Sequence, residues 1–256
     1  MRARASELQA AIKPLPVAPS SRGVIPLFEG PFEARAGTET RIRRDALSGP
    51  SEDGMAPHGH KFDPAHRAHL LDPERARYLP AKEILSKFPL TAGAAAVDIG
   101  CGPGYWTIPM AEIVGPSGRV YAVDLEGEML ADLRTRLEAR PGLPVQVMRS
   151  SEDRIPLPAR SVDFAFLACV LHELDGPGTM REAARVLRPG GALGIVDWNK
   201  IRQDIGPPYR HRLSPVQASA ALVRGGFSTD EAFDAAPYHY GIVARPKESR
   251  EARDAG

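Results

Sequence analysis

Short apolar runs alternate with amphipathic stretches over residues 90–245. Ala94 to Ile99 is uninterrupted by polar residues until Asp98, as expected of a strand covered on both faces. Arg119–Asp124 is a second such strand that again ends in an acid, and Pro144–Met148, Ser161 onward and Ala192–Asp197 read as further strands. Between them the spacing predicts helices over 105–114, 126–140 and 177–188. The second carries Met129, Leu130, Leu133 and Leu137 on one face. Gly115-Pro116-Ser117-Gly118, Pro141-Gly142 and Arg188-Pro189-Gly190-Gly191 close these helices. Ser214-Pro215 then caps a helix to about Arg224, Gly225-Gly226-Phe227 ends it, and strands near 227–234 and 237–244 finish the pattern. The order β-α-β-α-β-β-α-β-α-β-β predicts a doubly wound α/β fold. Its sheet would have seven mostly parallel strands, the last antiparallel.

The flanks read differently. Residues 1–57 are rich in Pro, Gly, Ser, Arg and Ala, with too little patterned apolar surface to offset chain entropy, and are expected to be disordered. Acids throughout this stretch (Glu7, Glu29, Glu33, Glu39, Asp45) argue against an organellar transit peptide. Met55 stands just before the ordered pattern and is a candidate translation start. Residues 58–90 are expected to form a helical cover. Asp63-Pro64 and Asp72-Pro73 each read as an N-cap with proline at the first helical position, giving helices over 64–71 and 73–79, and Pro80 opens a third to Phe88. Phe62, Leu70, Leu71, Arg75 and Tyr78 are candidates to line a pocket from this layer, with packing on the core as the alternative. The last residues, 246–256, are polar and expected to fray.

Composition narrows the field. With 33 basic and 32 acidic residues among 256, the net charge is +1, which gives no footprint for nucleic acid or an anionic membrane. No apolar run approaches the roughly 18 residues of a membrane span. Neither is there a secretory leader pattern. Cys101 and Cys169 both fall in expected core segments, which argues against a structural disulfide and fits a cytoplasmic protein. His58, His60, His66 and His69 could be read as a metal site. No cysteine lies near them, however, and Asp63 and Asp72 have no ligand spacing, so no metal is expected.

The chemistry concentrates in Val97-Asp98-Ile99-Gly100-Cys101-Gly102-Pro103-Gly104-Tyr105-Trp106-Thr107, a strand ending in an acid, a glycine turn and a helix start. Alternate glycines let a ligand approach the backbone closely. The dinucleotide fingerprint needs a third small residue where this chain has Tyr105 or Thr107, which argues against NAD. The motif D-x-G-x-G-x-G instead resembles the first motif of the class I S-adenosylmethionine-dependent methyltransferases, proteins of Rossmann-like fold. The resemblance extends to Asp124, 20 residues past Gly104 at the end of the second strand, where a carboxylate can accept both ribose hydroxyls. It also covers Ser151-Glu152 ahead of Ile155-Pro156-Leu157-Pro158, Ser161-Val162-Asp163-Phe164 leading to Leu171-His172-Glu173, and Arg185-Val186-Leu187-Arg188-Pro189-Gly190-Gly191. Within that superfamily the chain resembles the ubiquinone/menaquinone-biosynthesis-like, type 11 small-molecule branch.

The resemblance implies S-adenosylmethionine as cofactor, held by Asp98, Gly100, Cys101, Gly102, Gly104, Asp124, Leu125, Ser151 and Glu152. It leaves open which of Ser151 and Glu152 faces the adenine. His172 and Glu173 would leave the fourth strand over the methyl group, as catalytic base and acid. Asp163, at the opposite end of that strand, reads as structural. Tyr105, Asp197 and Trp198 would line the side that takes a small-molecule substrate, and 199–213 would be a lid. Gly206-Pro207-Pro208-Tyr209 looks like the N/D-P-P-Y motif of amino-methyltransferases acting on nucleobases, but it does not follow the fourth strand as that motif does. Arsenite methyltransferases resemble the branch and require several thiolates, which this chain lacks. The alternatives are a regulatory protein that binds the cofactor without transferring its methyl group, and a protein or RNA methyltransferase. No pattern sets an oligomeric state.

Overall fold

A computed structural model describes residues 62–247. The expected disorder of 1–57, the candidate start at Met55, His58, His60 and nearly all of the tail lie outside these residues. Two 3-10 turns aside, the elements in chain order are as follows. A 3-10 stretch Pro64–Leu71 is followed by α1 (Arg75–Tyr78), α2 (Ala81–Leu85), β1 (Ala95–Ile99), α3 (Thr107–Val114), β2 (Arg119–Asp124), α4 (Gly127–Glu138) and β3 (Val145–Arg149). Then come β4 (Val162–Ala168), α5 (Gly178–Val186), β5 (Leu187–Trp198), α6 (Pro215–Arg224), β6 (Phe227–Thr229), β7 (Phe233–Ala236) and β8 (His239–Pro246).

The sheet runs β3-β2-β1-β4-β5-β8-β6, with β7 also on β8. β1 to β5 are parallel, and Val97 of the central β1 pairs with Tyr121 of β2 and Ala165 of β4. β8 lies antiparallel between β5 and the two short strands β6 and β7. The mostly parallel sheet with an antiparallel last strand is therefore as expected, except that the stretch 227–234 divides. Asp230, between β6 and β7, donates its N–H to Val243, and the chain breaks into two strands on one edge, giving eight.

Both faces of the central strands are covered, which is why β1, β4 and the second half of β5 read as nearly continuous apolar runs. Val97, Ile99, Val123, Leu167 and Ile195 pack with Ala183 and Val186 of α5 and with Ala218 and Leu222 of α6. Ala96, Val120, Phe164, Phe166 and Val196 face Leu85 of α2, Phe88 and Met110 of α3. Leu130 and Leu133 of α4 close over Ala122 and Cys101. The Ser214 cap holds α6 with the reciprocal Gln217 bond of a capping box.

Two boundaries differ from expectation. The helix expected to end at residue 188 stops at Val186. Leu187 already pairs with Val162, and the Arg188-Pro189-Gly190-Gly191 turn is a bulge within β5 before Ala192 pairs with Phe164. In the cover, Asp63 does cap, accepting the Ala65 N–H, but the following eight residues wind as a 3-10 helix. Asp72 accepts the Glu74 N–H, and α1 lasts a single turn before Pro80.

Candidate active site

At the carboxyl ends of β1, β2, β3 and β4 the structure forms a cavity of about 170 Å³. This is the crevice where the strand order reverses from β1 to β4, the usual ligand position in an open parallel sheet. The glycine turn forms one wall. Gly100 sits at φ +70°, and a Cβ there would come within 2.6 Å of Val170 Cγ2, so the chain can turn between β1 and the exit of β4 only as glycine. Gly104 sits at φ +85° against Leu133, the contact by which α4 closes over the turn.

Of the expected cofactor residues, Gly100, Cys101, Gly102, Asp124, Leu125, Ser151 and Glu152 line this cavity. Asp124 is fixed from two sides: the Gly102 N–H donates to Oδ2 at 2.8 Å and the Glu126 N–H to Oδ1 at 2.9 Å. Burial pushes its pKa up, and the two amides partly oppose this by favouring the carboxylate. Thr179 Oγ1 donates to the Glu152 carbonyl at 2.7 Å, which ties the far wall to α5. Tyr105 and Glu173 line the cavity as expected, and so do Phe62, Leu70 and Arg75 of the cover; Leu71 and Tyr78 do not.

Five expected site residues stand elsewhere. Asp98 points from β1 under the start of α3, only 1% exposed, and accepts a 2.6 Å hydrogen bond from Thr107 Oγ1. Burial raises its pKa to about 7 against the pull of Thr107, with the nearby Asp124 charge adding to the rise. Gly104 serves the α4 contact rather than the cavity wall. His172 turns inward, its side chain 3% exposed, with Nδ1 2.7 Å from Asp197 Oδ1. Asp197, fully buried at the end of β5, also accepts the backbone N–H of His172 and of Trp198, so its oxygens are committed to structure. Trp198 is buried against His239, ring centroids 4.1 Å apart. Burial pushes the His239 pKa down to about 3, so this tilted aromatic pair is neutral.

Of His172, Glu173 and Asp197, only Glu173 reaches the cavity. His172 Nε2 lies 3.7 Å from its Oε1, while Oε2 accepts the Phe62 N–H at 3.2 Å. Burial raises the Glu173 pKa despite His172 and Phe62. Burial alone would lower that of His172, but Asp197 and Glu173 together raise it. The resulting line, Asp197–His172–Glu173, runs from the sheet interior to the cavity wall.

None of the residues of 199–213, the expected lid, lines this cavity. Arg212, 1% exposed, donates from Nε to Pro207, from Nη1 to Ile201 and from Nη2 to Ile205, and its guanidinium carbon lies 5.5 Å from the Trp198 ring. The loop is thus held shut on Trp198 by its own arginine. Sequence reasoning missed Met129, Cys169, Val170 and Thr179 on the cavity wall. Met129 belongs to the apolar helix face and gives no separate signal. Cys169, at φ +58°, is a backbone position that no sequence pattern marks. Both thiols are free. No group of three metal-ligating side chains gathers among the described residues, and no described helix is long and apolar enough to cross a membrane.

Residues 96–191 match the methyltransferase domain family. The demethylmenaquinone methyltransferase of Geobacillus stearothermophilus is 32% identical over 111 residues, 43% of this chain and 47% of that protein. The trans-aconitate 2-methyltransferase of Azoarcus sp. (strain BH72) is 34% identical over 157 residues, 58% of each. The chain thus spans about half the length of the curated relatives it matches. The crystal structure of a SAM-dependent methyltransferase from Aquifex aeolicus superposes with a TM-score of 0.69 at 32% identity, over 72% of this chain and 98% of that one.

Proposed function

The chain belongs to the class I S-adenosylmethionine-dependent methyltransferases, and from that premise we propose that it transfers a methyl group from this cofactor to a small-molecule acceptor in the cytoplasm. The observation that carries the reading is the cavity at the switch point, where the glycine turn meets an Asp124 carboxylate oriented by two backbone amides. Each Asp124 oxygen keeps acceptor capacity beyond its one amide bond, which suits a pair of ribose hydroxyls. Glu126, Glu152 and Glu173 give the rest of the wall an acidic character that suits a ligand with an ammonium and a sulfonium. When bound, the cofactor supplies an activated methyl group with a thioether as its leaving group.

The residues of this chain then have three tasks. Gly100, Cys101 and Gly102 let the backbone approach the cofactor, and Asp124 with Ser151 and Glu152 fixes its nucleoside end. Tyr105, Phe62 and Leu70 exclude water and orient the acceptor, because an in-line displacement depends on alignment. Glu173 takes the acceptor's proton where the acceptor is a hydroxyl or amine. His172 stands behind Glu173 as a positioning residue, its imidazole held by Asp197. Two relatives named for small acceptors, demethylmenaquinone and trans-aconitate, support this acceptor class.

The test uses S-adenosylmethionine labelled in its methyl group, incubated with the purified protein and an extract of the source cells. Label appearing in a small, solvent-extractable molecule is expected. Label in protein or RNA overturns the acceptor class. Binding of S-adenosylhomocysteine with no movement of label points to a binding protein instead.

A further inference from the structure

Arg75 lies in the wall of the cavity with only 7% of its surface exposed. The groups that its guanidinium touches are neutral. Nη1 donates to the Leu70 carbonyl at 2.9 Å, and the guanidinium carbon lies 4.4 Å from the centre of the Tyr105 ring. The thiol of Cys169 lies beside it, and burial pushes that thiol up to about 12, so it stays neutral and supplies no counter-charge. Arg75 forms no ion pair with an aspartate or glutamate among the described residues, where Arg67, Arg185, Arg188 and Arg245 all do.

A buried guanidinium whose partners are a carbonyl and a neutral thiol is costly, because the charge attraction that would offset its desolvation is missing. Its planar fork has N–H groups to spare, matched to the two oxygens of a carboxylate. The other charged residues of the cavity wall, Asp124, Glu126, Glu152 and Glu173, are all acids. Among the described residues Arg75 is therefore the one positive point on an acidic wall. It sits beside Tyr105 and Cys169, on residues that follow the glycine turn and β4, while Asp124 and Ser151-Glu152 lie at the ends of β2 and β3.

We propose that Arg75 is a carboxylate anchor of this site, its missing counter-charge supplied by a bound ligand. The proposal rests on the reading of the cavity as the cofactor and acceptor site. Two molecules can bring the carboxylate: the amino-acid end of the cofactor, or an anionic acceptor.

The test is calorimetric titration of the wild type, Arg75→Met and Arg75→Lys with three probes. These are S-adenosylhomocysteine, 5′-methylthioadenosine (the same nucleoside without the amino acid) and citrate added to the S-adenosylhomocysteine complex. Anchoring of the cofactor's own carboxylate predicts that Arg75→Met loses about tenfold or more in S-adenosylhomocysteine affinity. Methylthioadenosine affinity then stays within about threefold, which also establishes that the variant is folded. Arg75→Lys recovers part of the loss, since it keeps the charge without the fork. An anionic acceptor predicts instead that S-adenosylhomocysteine affinity is kept and that citrate binding, present in the wild type, is lost in Arg75→Met. A variant that binds all three probes as the wild type does overturns the proposal. So does loss of methylthioadenosine in step with the others, or citrate binding absent from both proteins with S-adenosylhomocysteine unchanged. A wild type that binds neither nucleoside defeats the functional reading of the cavity, and citrate binding to the free proteins then decides the role of Arg75.

Discussion

His172 Nδ1 lies 2.7 Å from Asp197 Oδ1, and both side chains are closed to solvent. The contact joins the exit of β4 to the end of β5 and leaves Nε2 directed toward Glu173 at 3.7 Å. The proposed proton transfer at the cavity wall therefore falls to the glutamate, with the histidine acting through it.

Glu173→Gln is expected to lower turnover by about 10²–10⁴-fold if the acceptor must lose a proton. S-adenosylhomocysteine affinity should change by less than about threefold. His172→Gln should cost less in turnover and should shift the pH–rate profile, because it alters the field at Glu173 without removing the carboxylate. Steady-state kinetics across pH with a confirmed acceptor checks both. An unchanged profile for His172→Gln removes the histidine from the mechanism.

The same pair predicts a pH dependence of stability. The folded state raises the His172 pKa, so the imidazolium is favoured by folding. That contribution is complete below the unfolded value of about 6.5 and is lost as pH rises through the higher folded value. Thermal melts from about pH 6 to about pH 9 should fall more for the wild type than for His172→Gln.

Asp98 acts in a separate window with the opposite origin. Its pKa rises from 3.8 to about 7 on burial, so the folded protein holds a proton that the unfolded chain has released. Stability from this group is greatest below about pH 4 and declines as pH rises to about 7. With a folded value near 7, the whole decline is on the order of 4 kcal/mol. Asp98→Asn keeps an acceptor for Thr107 and should flatten that part of the curve in denaturant titrations.

Asp124→Ala is expected to weaken S-adenosylhomocysteine binding by about 10- to 100-fold. It removes the nucleoside contact and frees the Gly102 and Glu126 amides that the carboxylate holds. Calorimetry on a variant with an unchanged melting temperature is the check, and undiminished affinity places the ribose elsewhere.

Gly104→Ala meets two penalties at once. The backbone is at φ +85°, and the new Cβ would stand 2.3 Å from Leu133 Cδ1. A loss of about 1–3 kcal/mol is expected. In the Leu133→Ala background the steric part disappears, so a double-mutant cycle should show the two losses to be less than additive.

The sequence was sufficient for the frame because the frame rests on local signals. The run from Ala94 to Ile99, the acids at Asp98 and Asp124 and the Gly100-Cys101-Gly102 turn are short-range patterns. A parallel sheet covered on both faces leaves few ways to arrange them. The same signals found nine residues of the cavity wall: Gly100, Cys101, Gly102, Asp124, Leu125, Ser151, Glu152, Tyr105 and Glu173. Side-chain direction was beyond them. At a strand end one rotation separates a wall residue from a buried one, and packing decides it. Asp98 turned to Thr107, His172 turned to Asp197, and Trp198 folded onto His239, each because the sheet interior offered it a partner. The loop 199–213 read as a lid because its polar, proline-rich sequence gives no internal core, yet Arg212 gathers its carbonyls and closes it on Trp198. The sequence by itself determined the order of the elements from β1 to α6, the mostly parallel character of the sheet and the glycine turn after β1. Only the tertiary structure decided that Glu173 rather than His172 reaches the cavity and that Arg75 meets no carboxylate there among the described residues. Those outcomes depend on contacts between residues as distant as His172 and Asp197, or Arg75 and Tyr105, and no local pattern encodes them.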